Sequence, residues 1–315
     1  MIPLVEIQDA RERIEDVVRP TPLVRLDVEA PCEIWLKLEC LQPIGSFKLR
    51  GALSAVRAAA PEELENGVVT ASAGNMAQGV AWAAREARVP ATVVAPDTAP
   101  KTKLAAVERL GARIIPVPHE EWWQTMLDRG HPDASGLFVH PVADEAVMAG
   151  NGTIGLEICE QLDELDAVVI PWGGGGLTSG IASAVKALRP ETRVVTAEPE
   201  TGAPLAAALA AGGPVEITYR ASFVDGAGGR GLLPGMWERA HELVDAAVSV
   251  PLADTAAAMR VLANRARVVA EGAGALALAA AMTGGAGTGR VVCIVSGGNV
   301  DLPVLARILS GEVPR

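Results

Sequence analysis

Short apolar runs rich in β-branched residues alternate with segments of helical periodicity along much of this 315-residue chain. Such runs are typical of buried strands, and helical segments of about 10–15 residues between them indicate βαβ units with parallel strands. The predicted strands span 33–38, 67–70, 91–95, 113–117, 167–170, 193–196 and 291–295, and the predicted helices span 46–60, 75–87 and 101–110. The pattern therefore predicts an α/β fold with mostly parallel sheets.

The chain is longer than one typical domain, so we expect two domains that share a cleft. The segment 119–144 is rich in Pro, Gly and polar residues and follows the first group of strands. We predict that it is an irregular connection between two α/β domains.

Charge and composition exclude several classes of protein. The net charge is −11 and the basic residues form no patch, which disfavours a nucleic-acid or membrane surface. Four scattered cysteines without CxxC spacing favour reduced, buried thiols in a cytoplasmic protein. No apolar signal core lies in residues 1–18, and Gly residues interrupt the uncharged stretches 167–185 and 272–289, so we expect no membrane span. The four histidines are far apart, and no histidine-based metal site is expected.

Lys48 is the first candidate for chemistry. It follows Gly-Ser-Phe at 45–47, at a predicted helix start, and its helical neighbours Ala52 and Ala55 are small enough to leave space above it. A lysine in a partly desolvated place can lose its proton near neutral pH and form a Schiff base or act as a general base. A surface lysine on an amphipathic helix is the alternative. The other lysines of the chain lie in ordinary polar surroundings: Lys37, Lys101, Lys103 and Lys186.

Four consecutive glycines at 173–176 follow the strand 167–170 and precede a helix predicted to begin near Thr178. Backbone amides without side chains can approach an anion closely, and a helix N-terminus adds a favourable dipole, so the segment predicts a phosphate site. Two alternatives stay open. One is a glycine-rich turn without a ligand. The other is a dinucleotide site, because Gly174, Gly176 and Ser179 are spaced as GxGxxS and Glu198 ends the next strand.

Two further loops follow predicted strands. Ser72 and Asn75 lie in a loop at 70–79, where their side chains and the amides of a helix start suit a carboxylate, although a plain helix cap is the alternative. Ser296 begins a Ser-Gly-Gly-Asn turn at 296–299 and presents a hydroxyl from a strand end. Glu271 lies at another helix start, where a carboxylate is normally a partner of the helix dipole.

As a set, these motifs resemble the fold-type II pyridoxal-phosphate enzymes, and the threonine/serine dehydratase (ammonia-lyase) and serine racemase branch matches best. The resemblance extends from Thr-Pro-Leu at 21–23, through Gly-Asn-Gly-Thr at 150–153 and Ala-Glu-Gly-Ala-Gly-Ala at 270–275, to the 296–299 turn. It implies two three-layer α/β domains with mostly parallel sheets, like the tryptophan synthase β-subunit. We place a large cofactor domain at 1–50 and 146–315 and a small domain, which closes over the cleft, at 51–145.

The resemblance also implies roles for individual residues. Lys48 would hold pyridoxal 5′-phosphate covalently, Phe47 would lie against its ring, Asn75 would bind the ring 3′-oxygen, and Ser296 would face the ring nitrogen. Ser72 would be a second catalytic group and would bind the substrate carboxylate with its loop. The predicted phosphate cradle is Gly173, Gly174, Gly175, Gly176 and Leu177, and the predicted substrate loop is Ser72, Ala73, Gly74, Asn75 and Met76.

The implied reaction is β-elimination from a β-hydroxy L-amino acid such as threonine or serine, which gives a 2-oxo acid and ammonia. Lys48 would remove the Cα proton. A neutral Ser296 hydroxyl would not hold the ring nitrogen protonated, which favours elimination over transamination. The alternatives are a dehydratase for bulkier substrates such as 3-hydroxyaspartate or phenylserine, a β-replacement synthase, an amino-acid racemase, a non-enzymatic ligand-binding protein and a NAD-linked oxidoreductase. We expect a cytoplasmic homodimer with a small amino-acid substrate and neither nucleic acid nor membrane as a partner.

Several positions depart from the pattern of this branch. Racemases carry a second serine where this chain has Ala73, so we expect poor racemisation. Met76 replaces a usual histidine and makes the mouth of the site more apolar.

Pro204 replaces the Asp of a metal site that Glu198 and Gly202 would otherwise match, so we predict no metal. The chain ends soon after the 296–299 turn, so we expect no regulatory domain. The pair Trp122 and Trp123 is interpreted as core or interface, with a wider substrate site as the alternative.

Overall fold

The computed structural model describes residues 1–314 and contains two separate sheets. The first sheet has six strands: β1 (Leu23–Leu26), β2 (Glu33–Lys37), β7 (Ala167–Pro171), β8 (Arg193–Pro199), β9 (Ala246–Val250) and β10 (Arg290–Ile294). Their order is β1-β2-β10-β7-β8-β9, and every neighbouring pair is parallel except β1 with β2. The second sheet has four strands: β3 (Val68–Ala71), β4 (Ala91–Pro96), β5 (Arg113–Val117) and β6 (Leu137–Phe138). Their order is β5-β4-β3-β6, and all pairs are parallel.

Helices cover the faces of both sheets. They are α1 (Leu4–Ile14), α2 (Lys48–Ala58), α3 (Asn75–Ala87), α4 (Lys101–Arg109), α5 (His119–Asp128), α6 (Glu145–Gln161), α7 (Gly176–Leu188), α8 (Pro204–Ala211), α9 (Met236–Leu243), α10 (Leu252–Val261), α11 (Gly272–Met282) and α12 (Leu302–Leu309). Two 3₁₀ turns (Glu39–Leu41 and Pro61–Leu64) and a π turn (Leu262–Ala266) complete the helical elements. The predicted α/β fold with mostly parallel sheets is confirmed.

The central strands are buried on both faces, as parallel strands between helical layers require. All five residues of β7 are buried, as are all four residues of β3. This explains why the strands appear in the sequence as continuous apolar runs rather than as alternating patterns. The predicted domain boundaries at 50 and 146 stay a prediction.

Glycines allow α6 to pack very closely against both α2 and α7. A Cβ atom on Gly150 of α6 would lie 2.5 Å from the carbonyl oxygen of Arg50 in α2. A Cβ atom on Gly180 of α7 would lie 2.2 Å from the carbonyl oxygen of Met148 in α6. The Gly-Asn-Gly-Thr motif therefore has a packing role, which fixes the first turn of α2 relative to the part of α7 around Gly180.

The prediction of an irregular connection over 119–144 is wrong, because this segment contains α5 and β6. The α5 helix begins directly after Pro118 and carries Glu120 and Glu121 in its first turn, where acidic residues interact favourably with the helix dipole. The polar composition hid these elements, and β6 has only two residues, too few for an apolar run.

The four cysteines are free thiols, but only Cys40 and Cys293 are buried, whereas Cys32 and Cys159 are partly exposed. The prediction that the thiols are buried is therefore wrong for two of them. Within residues 1–314, no helix is long and apolar enough to cross a membrane.

Candidate active site

All residues predicted for the site line one cavity of about 570 Å³. The strands β3, β7 and β10 each end at this cavity, because Ser72, Pro171 and Ser296 lie within two residues of their carboxyl ends and line its wall. Carboxyl ends of parallel strands are the usual position of ligand sites in α/β folds. The cavity-lining residues that the sequence predicted are Phe47, Lys48, Ser72, Ala73, Gly74, Asn75, Met76, Gly173, Gly174, Gly175, Gly176, Leu177 and Ser296.

Lys48 is the first residue of α2, is half-buried and lines the cavity. Burial by the surrounding protein lowers the pKa of its amine to about 8. The amine donates a 2.6 Å hydrogen bond to the carbonyl oxygen of Pro141 and lies 5.1 Å from the centre of the Phe47 ring. About a tenth of the Lys48 amine is therefore neutral at pH 7 and about half at pH 8, and the neutral form is the one that acts as a nucleophile or base. Ala52 and Ala55 are buried in the core beneath the second sheet.

The four glycines form a cup at the start of α7, which begins at Gly176 rather than near Thr178. Gly175 has φ +95°, and a Cβ atom there would lie 2.5 Å from the Trp172 ring. A Cβ atom on Gly174 would lie 2.5 Å from a methyl group of Val142. Side chains are thus excluded at Gly174 and Gly175. Gly176 and Leu177, in the first turn of α7, also line the cavity, and a helix start offers free amides and the positive end of the helix dipole. This cup has the properties of an anion site.

The loop between β3 and α3 forms the opposite wall. The Ser72 hydroxyl accepts a 3.2 Å hydrogen bond from the amide of Gly74, the residue before the first residue of α3. Asn75 donates a 2.7 Å hydrogen bond from its side-chain amide to Glu271. Met76 is only 2 % exposed and also contributes to the core. The loop therefore combines the free amides of a helix start with polar side chains at the cavity surface.

Ser296 is 3 % exposed and lies where β10 meets the cavity. Its carbonyl oxygen accepts a 3.0 Å hydrogen bond from the amide of Phe47, and the neighbouring Ser46 and Gly297 form a β-bridge. The loop that carries Lys48 is thus tied by its backbone to the loop that carries Ser296.

Glu271 is a site residue that the sequence did not identify. It precedes α11, as expected, but its side chain makes no capping hydrogen bond and instead faces the cavity. Burial raises its pKa to about 7, and the nearby Asp225 carboxylate adds to this rise, whereas Asn75 and Lys103 oppose it. Near neutral pH the cavity wall therefore contains a carboxyl group that is partly protonated.

Lys103 and Asp225 form an ion pair, and both line the cavity. Lys103 lies in α4, beside the second sheet, and Asp225 lies in the loop before α9. One residue before Lys103, Thr102 donates a 2.8 Å hydrogen bond to Asp301. Lys103 therefore has polar surroundings, as predicted, and in addition lines the cavity, which the sequence did not indicate.

The interpretation of Lys37 as a lysine in ordinary polar surroundings is wrong, because its side chain is completely buried. It bonds to the Glu157 carboxylate, which also accepts a 2.6 Å hydrogen bond from Arg50. Arg50 in turn donates two 2.8 Å hydrogen bonds to Glu39. These four side chains, the buried ion network, balance two positive charges with two negative charges directly behind the helix turn that carries Lys48.

The two tryptophans have different surroundings. Trp122 is half-buried, packs beside Val69, Val94 and Val117, and also lines the cavity. Trp123 is 42 % exposed. The core interpretation therefore fits Trp122 only, and the same residue also borders the cavity.

Glu198 is occupied by contacts within the protein. Its two carboxylate oxygens accept hydrogen bonds of 2.9 and 2.8 Å from the amides of Leu205 and Ala206, in the first turn of α8. Pro204 is the first residue of that helix. Burial raises the pKa of Glu198 to about 7, and the two amide hydrogen bonds oppose this rise. Residues 1–314 contain no cluster of three or more His, Cys, Asp or Glu side chains that could hold a metal ion.

Comparison with known proteins agrees with this geometry. The family model described as pyridoxal-phosphate dependent enzyme matches residues 14–297. An L-threonine ammonia-lyase of Thermotoga maritima is 40 % identical over 318 aligned positions, which cover 98 % of this chain and 79 % of that protein.

Solved structures give the same assignment. Maize serine racemase superposes with a TM-score of 0.90 at 33 % identity, covering 98 % of this chain and 96 % of that one. The processed form of threonine deaminase isoform 2 from Solanum lycopersicum superposes with a TM-score of 0.87 at 31 % identity, covering 98 % of this chain and 86 % of that one.

Proposed function

We propose that this chain, which belongs to the family of pyridoxal-phosphate dependent enzymes, eliminates the β-hydroxyl group from a β-hydroxy L-amino acid such as threonine or serine. The products are a 2-oxo acid and ammonia. One observation supports this function above the others. A buried lysine amine with a pKa of about 8, a glycine cup for an anion and a polar helix start for a carboxylate line the same cavity.

The residues of the cavity fit the cofactor. The glycine cup has no room for side chains and offers free amides, which suits the phosphate group. Lys48 is the cavity lysine whose amine can be neutral, so we assign it the covalent attachment. Phe47 would support the ring, Asn75 would bind the ring 3′-oxygen, and the Ser296 hydroxyl would meet the ring nitrogen.

Pyridoxal phosphate, when bound, withdraws electrons from the α-carbon of an attached amino acid and so makes its α-proton easier to remove. The amine of Lys48 takes this proton, because its depressed pKa leaves it able to act as a base. The Ser72 hydroxyl and the amides at the start of α3 hold the substrate carboxylate, which turns the Cα–H bond toward Lys48. The β-hydroxyl leaves as water with the proton that the Lys48 amine has taken up, and a second water molecule replaces the amino group, which is released as ammonia.

Ser296 favours elimination over transamination. Its hydroxyl is neutral and buried, so it cannot stabilise a proton on the ring nitrogen as a carboxylate would. Negative charge at the α-carbon is then stabilised less, and prompt loss of a β-substituent is the favoured outcome.

Threonine is the substrate that the relatives support best, because a 40 % identical protein is named L-threonine ammonia-lyase. The cavity itself leaves room for a larger substituent. Beyond the substrate loop its wall continues over Pro96, Pro100 and Trp122. The proline and tryptophan side chains suit phenylserine, whereas Lys103 on the same wall suits the second carboxylate of 3-hydroxyaspartate, so both stay candidates for a second substrate class.

We further propose that the enzyme works as a homodimer in the cytoplasm. Residues 51–145 would form the domain that closes over the cavity, and residues 1–50 and 146–315 would form the domain that holds the cofactor.

A substrate panel tests the proposed function. Purified protein with pyridoxal phosphate is incubated with the stereoisomers of threonine, serine, 3-hydroxyaspartate and phenylserine, and 2-oxo acid and ammonia are measured together. We expect equal amounts of both products from L-threonine and none from the Lys48→Ala variant. If no substrate in the panel releases a 2-oxo acid, the proposal is wrong. D-amino acid formed without loss of total amino acid indicates a racemase instead, and product that appears only with an added nucleophile indicates a synthase.

A further inference from the structure

We propose that His140 is a positioning residue: its imidazole holds the turn at 140–144 so that the Pro141 carbonyl fixes the Lys48 amine relative to the glycine cup. This inference rests on the proposed role of Lys48, but it concerns a residue that faces the backbone rather than the substrate. The turn joins β6 to α6 and lies directly against the cavity.

The imidazole organises the turn from inside. His140 is 4 % exposed, and its Nδ1 accepts hydrogen bonds from the backbone amides of Val142 at 3.0 Å and Ala143 at 2.8 Å. The backbone amide of His140 donates a 2.6 Å hydrogen bond to the carboxylate of Asp144. Asp144 is also paired with Arg129. Three backbone amides of a short segment are thus satisfied by two side chains of that segment, which leaves it few other conformations.

The outer side of the same turn contacts both halves of the candidate cofactor site. The carbonyl oxygen of Pro141 accepts the 2.6 Å hydrogen bond from the Lys48 amine. Val142 packs on the cup, because a Cβ atom on Gly174 would meet its methyl group at 2.5 Å and one on Gly176 would meet its carbonyl oxygen at 2.6 Å. A displacement of the turn would therefore disturb its contacts with Lys48 and with the glycine cup at the same time.

The chain path makes this position sensitive. The backbone leaves the first sheet after β2, which ends at Lys37, and joins it again at β7, after the turn at 140–144 and α6. The hydrogen bond between Lys48 and Pro141 therefore links the segment that leaves the first sheet to the segment that returns to it. On the side of the second sheet, Val139 is held by a 2.8 Å backbone hydrogen bond to Val69. The turn is therefore anchored at both ends, and the imidazole determines its shape between the anchors.

The imidazole performs this role only in its neutral form, because Nδ1 must accept two hydrogen bonds. Burial, together with the positive charges of Arg129 and Lys48, lowers the pKa of His140 to about 4. Its proton therefore resides on Nε2 at neutral pH. A neutral acceptor here organises the turn without adding a positive charge beside Lys48.

Paired substitutions test the role of Nδ1. His140→Leu keeps a similar apolar volume but removes the acceptor, whereas the side-chain oxygen of His140→Asn can accept from amides two and three residues ahead. For His140→Leu we expect the dissociation constant of pyridoxal phosphate to rise about tenfold, as for a lost hydrogen-bond network beside the ligand. We also expect the visible absorption of the lysine-bound cofactor to decrease and kcat to fall more than KM rises. His140→Asn should retain cofactor binding and absorption close to those of the unaltered protein.

Two outcomes contradict the proposal: His140→Leu binds and presents the cofactor like the unaltered protein, or His140→Asn is as impaired as His140→Leu. A measurement on the unaltered holoenzyme does not depend on whether the variants fold. The chain has only four histidines, so ¹⁵N spectra of histidine-labelled protein can be assigned with His→Gln variants of the other three. We expect an unprotonated Nδ1 on His140 from about pH 5.5 to 9, and a protonated Nδ1 at neutral pH overturns the proposal. Cofactor affinity and tautomer are read without any substrate, so failure of the elimination assay leaves this test intact.

Discussion

Asn299 donates a 2.7 Å hydrogen bond from its side-chain amide to the side-chain oxygen of Asn75, 224 residues earlier in the chain. Asn75 in turn donates from its own amide nitrogen to Glu271 at 2.7 Å. Asn299 is also anchored, because it donates to the carbonyl oxygen of Ile44 at 2.8 Å. The amide group of Asn75 is therefore held in one orientation, with its nitrogen directed toward Glu271 and the cavity wall.

We expect Asn299→Asp to weaken cofactor binding. The new carboxylate cannot donate to Asn75 and places negative charge next to its oxygen, which favours rotation of the Asn75 amide by half a turn. The dissociation constant of pyridoxal phosphate, measured by absorption titration, should rise about tenfold. Asn66→Asp, at an exposed position outside the cavity, is the control and should bind like the unaltered protein. Unchanged affinity in Asn299→Asp means that Asn299 does not orient Asn75 for the cofactor.

Glu157→Gln should destabilise the protein strongly. The substitution keeps the shape of the side chain but removes one of two negative charges from the buried ion network, so that Lys37 and Arg50 share only Glu39. Loss of one partner in such a network costs about 3–5 kcal/mol. The free energy of unfolding is measured by urea titration. Glu164→Gln removes a partner of Arg290 at a site where the Glu164 side chain is 75 % exposed, and it should cost less than about 1 kcal/mol. Equal costs for the two variants contradict this account.

The sequence predicted the elements whose signal is local. The strand β7 is a continuous apolar run, and the glycine cup is visible because four glycines follow this strand closely. The helix α5 was missed because its face toward the core is short, with only Thr125 and Met126 buried. The local sequence pattern of such a helix does not distinguish it from a polar loop.

The missed site residues depend on contacts between distant parts of the chain. Glu271 lies 196 residues from Asn75, and a carboxylate at a helix start is read by default as a dipole partner. Lys37 is the last residue of a strand, where an exposed lysine would be equally compatible with the sequence. Its partner Glu157 is 120 residues away in the sequence and lies beside it only in the folded chain. Charge pairing over such separations leaves no periodicity in the sequence.

Removal of divalent cations should have no effect on the folded enzyme. Both oxygens of Glu198 already accept amides at the start of α8, and Pro204 offers no ligand atom in its side chain. After treatment with EDTA and gel filtration, we expect an unchanged Tm and an unchanged rate of 2-oxo acid release. EDTA-treated protein to which Mg²⁺ or Ca²⁺ is added back serves as the control. A rate or a Tm that falls with EDTA and recovers with either ion is evidence for a metal site and against this prediction.

The pKa of Lys48 predicts how cofactor attachment depends on pH. Only the neutral amine attacks, so its rate in the cofactor-free protein should rise about tenfold per pH unit below pH 8 and level off above it. The appearance of visible absorption after mixing with pyridoxal phosphate measures this rate, and Lys48→Ala provides the blank. A rate that keeps climbing to about pH 10 indicates a lysine that burial does not perturb.

The same pKa has a consequence for stability. The pKa of Lys48 in the folded chain is lowered below the value of about 10.4 for an unfolded lysine, so between these values the unfolded chain binds more protons. The contribution of Lys48 to the free energy of unfolding of the cofactor-free protein therefore becomes more favourable as the pH rises from about 8 to 10. Unfolding titrations of the unaltered protein and of Lys48→Met across this range isolate the contribution, and parallel curves for the two proteins contradict it.

Ala73→Ser should increase racemisation. The resemblance to serine racemases implies a second serine at position 73, where this chain has Ala73. Ala73 lines the cavity beside Ser72. A hydroxyl at this position can return a proton to the face of the α-carbon opposite Lys48, which competes with loss of the β-hydroxyl. We expect the ratio of D-serine to pyruvate formed from L-serine to rise at least about tenfold, within the range of rate effects typical of a general acid. Ala73→Val adds more bulk than Ala73→Ser but no hydroxyl, and it should not raise the ratio. A ratio that rises equally in both variants attributes the effect to crowding rather than to proton transfer.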